Sequence, residues 1–162
     1  MKPIIWFTGL SSAGKTTLAR KLIECIDSKI IFLDGDDVRK YVSPDLGYSL
    51  RDRNIQMDRL YGLGTIISKS NILPIICTNT SPSKRMKNVI TIYVKCNIKE
   101  CIKRDVKYLY KKSLEGEIRN LPGIDLPYKE PIDPEIIVET DKYTIDKCVN
   151  KIYKELEERN LI

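Results

Sequence analysis

The feature that most limits how this chain can fold is Gly9-Leu10-Ser11-Ser12-Ala13-Gly14-Lys15-Thr16, which fits GxxxxGK[ST]. Both flanks suit it. Pro3–Thr8 is a short, continuous apolar run, the pattern of a buried strand. Lys15–Ile26 reads as a helix, with Leu18, Leu22, Cys25 and Ile26 on one face. A strand that feeds a helix through such a loop aims backbone N–H groups and a helix N-terminus at an anion. Gly9 and Gly14 let the backbone curl around phosphate oxygens. Lys15 is placed to reach β- and γ-phosphates and Thr16 to ligate Mg²⁺, with Ser11, Ser12, Ala13 and Thr17 completing an ATP cradle.

Beyond the loop, apolar runs alternate with helix-period segments, which predicts a parallel α/β sheet. Further strands are expected at Lys29–Leu33, Leu73–Thr78, Val89–Cys96 and Ile136–Glu139. Helices are expected at Asp52–Ser70, from the Asn97 cap to about Lys107, and at Thr144–Arg159. The spacing makes Glu100 the capping-box partner of Asn97. About ten residues separate the third and fourth strands, near the minimum for a parallel crossover, so any helix between them must be short. Residues 108–134 show no strong period and are rich in proline and basic side chains, which marks the segment as functional. The 162 residues suit one domain, with no second-domain linker.

Composition narrows the chemistry. The chain has no histidine, which excludes Ser-His or Cys-His nucleophilic machinery and imidazole metal sites. Its five cysteines form no CxxC pair, so free thiols in a reducing cytoplasm are expected rather than zinc or disulfides. No apolar run is long enough for a membrane span, and Met1–Phe7 does not read as a signal peptide. The net charge of +6 fits nucleic acid or a pocket for phosphate-bearing small molecules. No RNP, KH or zinc-finger pattern is present, which favours a small-molecule partner.

Asp34-Gly35-Asp36-Asp37-Val38-Arg39 follows the second strand. Ligands in open α/β sheets bind beyond the carboxyl ends of the strands, which brings these carboxylates near the phosphate loop. An acceptor hydroxyl needs a carboxylate to orient it and take its proton, a role assigned to Asp36. Asp34 is assigned to the metal shell. A helix N-cap or a turn cluster is the plainer reading of these residues, and it is compatible with the functional one. Arg39 and Arg53 fit the grip of phosphate or sulfate oxygens, or ordinary surface ion pairs.

The chain resembles the adenylylsulfate kinase family over nearly its whole length. The resemblance rests on Gly9–Thr17, Leu33–Arg39, Asp45-Leu46-Gly47-Tyr48-Ser49 with Asp52-Arg53, and Ser81-Pro82. It extends through Arg104-Asp105, Leu109-Tyr110-Lys111-Lys112, Gly123-Ile124, Pro127-Tyr128 and Pro131. It implies a P-loop kinase fold with a central parallel five-stranded sheet, and transfer of the ATP γ-phosphate to a nucleotide's ribose 3′-hydroxyl. It also implies that Asp36 faces that hydroxyl and that Arg39 and Arg53 hold the acceptor's charged 5′ end. By the same resemblance Arg104 packs on the ATP adenine, Lys111 and Lys112 close from the lid, and Ser81 contacts the substrate. A homodimer is implied as well.

Departures cluster on the side of the acceptor base. The family sandwiches the substrate adenine between two phenylalanines; the matching positions here are Tyr48 and Leu121. Base–aromatic stacking is worth about 1–3 kcal/mol, so losing one partner is large enough to change the preferred base. Gln56 stands where the family has asparagine, and Thr78-Asn79-Thr80-Ser81-Pro82 replaces Ser-Phe-Ile-Ser-Pro. A smaller base read by Gln56, Thr78 and Asn79 suits such a pocket, as in the cytidine diphosphoramidate kinases of this family. Rival readings are a P-loop kinase for an unrelated small alcohol and a non-catalytic nucleotide- or RNA-binding module.

Overall fold

The computed structural model describes residues 1–162. Five strands, β1 (Ile4–Thr8), β2 (Ile30–Asp34), β3 (Leu73–Thr78), β4 (Val89–Lys95) and β5 (Ile136–Glu139), form one parallel sheet in the order β2-β3-β1-β4-β5. Strand β1 lies at the centre, with Ile5 beside Ile75 of β3 and Ile90 of β4. The period-two alternation of side chains divides it between two cores. Ile5 and Phe7 join Leu18 and Leu22 of α1 (Lys15–Cys25) and Ile152 and Leu156 of α6 (Ile145–Glu158). Ile4 and Trp6 face the other way, onto Val38 of α2 (Gly35–Tyr41) and Met57 and Leu60 of α3 (Leu50–Lys69). The result is a three-layer α/β/α fold around the expected central parallel five-stranded sheet. No helix is long and apolar enough to cross a membrane.

Strand and helix bounds fall within a few residues of expectation, with instructive exceptions. Helix α2 begins inside the acidic cluster, where Asp34 accepts from the Asp36 N–H at 3.0 Å as its N-cap. Helix α4 (Ile98–Arg104) stops three residues early because Asp105 turns to φ 26°. The freed Asp105 carboxylate then accepts from the N–H groups of Tyr110 and Lys111, starting α5 (Leu109–Leu114) inside the segment expected to be irregular. Asn97 caps α4, but its own N–H donates to Asp141 and not to Glu100. The tight β3–β4 connection contains no helix: the chain crosses β1 as an irregular loop and buries Met86 against the smaller core.

Candidate active site

The loop after β1 is shaped by close approach. A Cβ on Gly9 would lie 2.4 Å from the Val94 carbonyl oxygen, so only glycine fits. Gly14 takes φ 100° as the residue before α1, a conformation glycine adopts without a side-chain clash. Lys15 folds back and donates to the carbonyls of Gly9 at 3.0 Å and Leu10 at 2.6 Å. Burial lowers its pKa to about 8; the Lys107 charge adds to this, while Asp36 opposes it.

Three distant groups hold the loop in place. The Tyr110 hydroxyl donates to the Ser11 carbonyl at 2.9 Å, and the Thr140 hydroxyl donates to that of Ala13 at 2.7 Å. The Val106 N–H donates to the Ser12 hydroxyl. Arg104 is fixed in turn by Thr140, through its hydroxyl at 3.2 Å and its carbonyl at 2.8 Å, and by Glu100.

One cavity of about 810 Å³ joins this loop to the acidic cluster and the arginines. On the loop side it is lined by Ser11, Ser12, Gly14, Lys15, Thr16 and Thr17, with Arg104 at the wall. Between the halves, the Thr16 hydroxyl donates to Asp34 Oδ2 at 3.0 Å. Asp34 Oδ1 meanwhile caps α2, so a single carboxylate links loop to cluster. Two oxygen donors at this spacing suit Mg²⁺, which keeps several waters and takes other ligands from phosphates. No three acidic, Cys or His side chains are arranged so that they could hold a metal ion by themselves.

On the far side Asp36, Arg39, Tyr48, Arg53, Gln56, Thr78, Asn79 and Leu121 also line the cavity. Arg39 lies 4.7 Å and Arg53 5.8 Å from the Tyr48 ring centroid, so cations already attend the ring expected to stack a base. Arg53 also donates to the Asn120 carbonyl at 2.6 Å, which ties the 108–134 segment to α3. Burial, with the nearby Arg39 charge, lowers the Arg53 pKa. The Thr78 hydroxyl is fully engaged, donating to the Thr80 carbonyl and accepting from Trp6 Nε1 and the Thr80 N–H.

Other expected site residues lie elsewhere. Ser81 is outside the lining, its hydroxyl 3.3 Å from that of Thr8. Helix α5 leaves Lys111 and Lys112 exposed and off the cavity wall, with Lys111 4.0 Å from Glu115. The lysine that reaches the centre is Lys107, which pairs with Asp36. Burial alone would lower the Lys107 ammonium, but the Asp36 hydrogen bond and the charges of Asp36, Asp34 and Asp37 raise it. Sequence reasoning missed Lys107, Tyr110 as a loop tie, and Thr140. The only local signal for Lys107 was its place three residues after Arg104, beside the Arg104-Asp105 pair.

Comparison with known proteins decides the family. The family profile described as Adenylylsulphate kinase matches residues 1–139. The chain belongs to the adenylylsulphate kinase family. An adenylyl-sulfate kinase of Clostridium acetobutylicum is 37% identical over 98% of this chain and 85% of its own length. One from Halothermothrix orenii is 36% identical over 98% and 91%. The structure of the Mycobacterium tuberculosis APS kinase CysC in complex with AMPPNP and APS superposes with a TM-score of 0.85 at 31% identity, covering 96% of this chain and 98% of that one. Membership makes the chain a phosphotransferase with an alcohol-group acceptor, within an ATP-using kinase family.

Proposed function

We propose that this adenylylsulphate kinase relative transfers the γ-phosphate of ATP to the ribose 3′-hydroxyl of a nucleotide with a charged 5′ end. The observation that carries the reading is the chain of contacts from loop to acceptor half: Thr16 to Asp34, Asp34 to the Asp36 N–H, and Asp36 to Lys107. Asp36 orients the 3′-hydroxyl and takes its proton as the oxygen attacks the γ-phosphorus. The new bond is ribose oxygen to phosphorus, the broken one is phosphorus to the β–γ bridging oxygen, and ADP leaves. Lys15 exchanges its loop carbonyls for phosphate oxygens, and Arg39 and Arg53 take the acceptor's 5′ group. Thr16 and Asp34 would hold Mg²⁺, which neutralises phosphate charge when bound. Lys107 must leave Asp36 as the acceptor enters, and from there it lies within reach of the transferring phosphoryl group.

Adenosine 5′-phosphosulfate is the acceptor that the solved relative holds. A cytidine diphosphate-type acceptor, such as cytidine diphosphoramidate, is the second reading. Leu121 favours it, because it lines the cavity where the resemblance calls for a second aromatic ring. A coupled ADP-release assay with both acceptors is the test. Release with neither overturns the nucleotide-acceptor reading and leaves a kinase for another small alcohol; turnover of the phosphosulfate alone rejects the cytidine one. A homodimer belongs to the same proposal and is checked by light scattering.

A further inference from the structure

We infer that Thr140 is a positioning residue for the phosphoryl donor: its hydroxyl joins the phosphate loop to Arg104, and so sets the grip on the phosphates and the face offered to the donor's base at one fixed spacing. This rests on the cavity taking a nucleoside triphosphate at its loop end. Thr140 lies just past β5 and outside residues 1–139, which the family profile matches. Its N–H donates to the Lys95 carbonyl at 3.0 Å, which extends the β4–β5 ladder and anchors the residue to the sheet. Its hydroxyl donates to the Ala13 carbonyl at 2.7 Å and stands 3.2 Å from Arg104 Nη1. The sense of both bonds is forced. A carbonyl only accepts and a guanidinium only donates, so the one proton goes to Ala13 and a lone pair faces Arg104. Serine could make the same bridge; valine, of the same shape as threonine, could make neither bond.

The partners of Arg104 connect that bridge to the base. Besides the hydroxyl bond, Nη2 donates to the Thr140 carbonyl at 2.8 Å and Nε to Glu100 at 3.2 Å. Guanidinium N–H groups lie in one plane, so bonds along the edge fix that plane and leave the faces open for stacking. Arg104 lines the cavity with Val106, Leu109 and Ile145, apolar surface suited to a planar ring, while Lys15 and Thr16 line the phosphate end. A nucleoside triphosphate carries base and phosphates on one covalent frame. It binds best when the two grips are already held at the matching distance. Glu100 and the Thr140 carbonyl would keep Arg104 oriented without the hydroxyl, but only the hydroxyl also bonds to the loop.

The test is calorimetric titration in Mg²⁺ buffer with two ligands: AMPPNP, which carries a base, and tripolyphosphate, which does not. Wild type is expected to bind AMPPNP about 10- to 100-fold more tightly. Thr140→Val keeps the side-chain shape and should cut that preference by about 5- to 10-fold. Thr140→Ser, which keeps the hydroxyl, should restore it to within about twofold. In an Arg104→Ala background, Thr140→Val should change the preference by less than about twofold, because the hydroxyl acts through the arginine. Thr140→Ala serves in the same comparisons if the valine variant does not fold. Equal losses for both ligands would make the hydroxyl merely structural and overturn the assignment, as would a preference that survives Thr140→Val. A wild type that binds both ligands equally removes the base contact at Arg104 as well; one that binds neither removes the donor reading of the loop.

Discussion

Replacing Lys15 with methionine should stabilise the ligand-free protein while abolishing catalysis. Burial holds the Lys15 pKa at about 8 against an ordinary 10.5. That gap of about 2.5, at about 1.36 kcal/mol per pH unit, corresponds to about 3 kcal/mol of destabilisation near pH 7. Losing the hydrogen bonds to the Gly9 and Leu10 carbonyls offsets about 1 kcal/mol each. Methionine keeps an unbranched apolar stem in the same space. The net expectation is a gain of about 1 kcal/mol, or about 2–4 °C in Tm for a chain of this size. Because the folded pKa lies below the unfolded one, the unfolded chain holds more protons between about pH 8 and 10.5. Wild-type stability therefore climbs through that window, and the variant's advantage should fade there. Urea denaturation without nucleotide, at about pH 7 and about pH 10, measures both effects. A variant that is less stable than wild type by the same margin at both pH values would refute the reasoning.

Other expected outcomes follow from single contacts. Asp36→Asn should lower kcat by at least about 100-fold with ATP affinity nearly unchanged, measured by steady-state kinetics and nucleotide titration. Lys107→Ala should lower kcat by about 10- to 100-fold and shift Tm little, because its partner Asp36 is largely exposed. Asp125 accepts from the N–H groups of Asn120 and Leu121; desolvation works against its charge, but these donors hold its carboxyl below the usual carboxylate range. Its grip on the lid should be complete above about pH 4 and lost as pH falls through that lowered pKa, and Asp125→Ala should speed proteolysis within residues 115–130 at neutral pH. Thiol titration of the native protein should find one fast cysteine, exposed Cys25, and four slow ones until denaturant is added.

How much of the site was legible depended on distance along the chain. The phosphate loop is eight consecutive residues, and its strand and helix flanks carry their own periodicity. The acidic cluster is equally local; an N-cap and a turn share the same residue types, and the structure selects the N-cap, with Asp34 starting α2. Lys107 and Asp36 are 71 residues apart, and Thr140 and Ala13 are 127 apart. No local pattern connects such pairs. The resemblance assigns Lys111 and Lys112 to the lid, and a motif does not say which way a short helix turns its side chains; here both are exposed. Asp105 decides that by starting α5.

The sequence by itself determined a strand–loop–helix phosphate grip, a parallel α/β sheet and a carboxylate cluster at a strand's carboxyl end. Each is written in contiguous residues whose backbone preferences and hydrophobic period act locally. Only the tertiary structure decided that Lys107 meets Asp36, that Arg39 and Arg53 attend Tyr48, and that Thr140 joins the phosphate loop to Arg104. The order β2-β3-β1-β4-β5 sets which strand ends lie side by side, and so which distant side chains can meet. Hydrogen bonds and charge pairs act over a few ångströms, so their partners exist only once the sheet has brought them together.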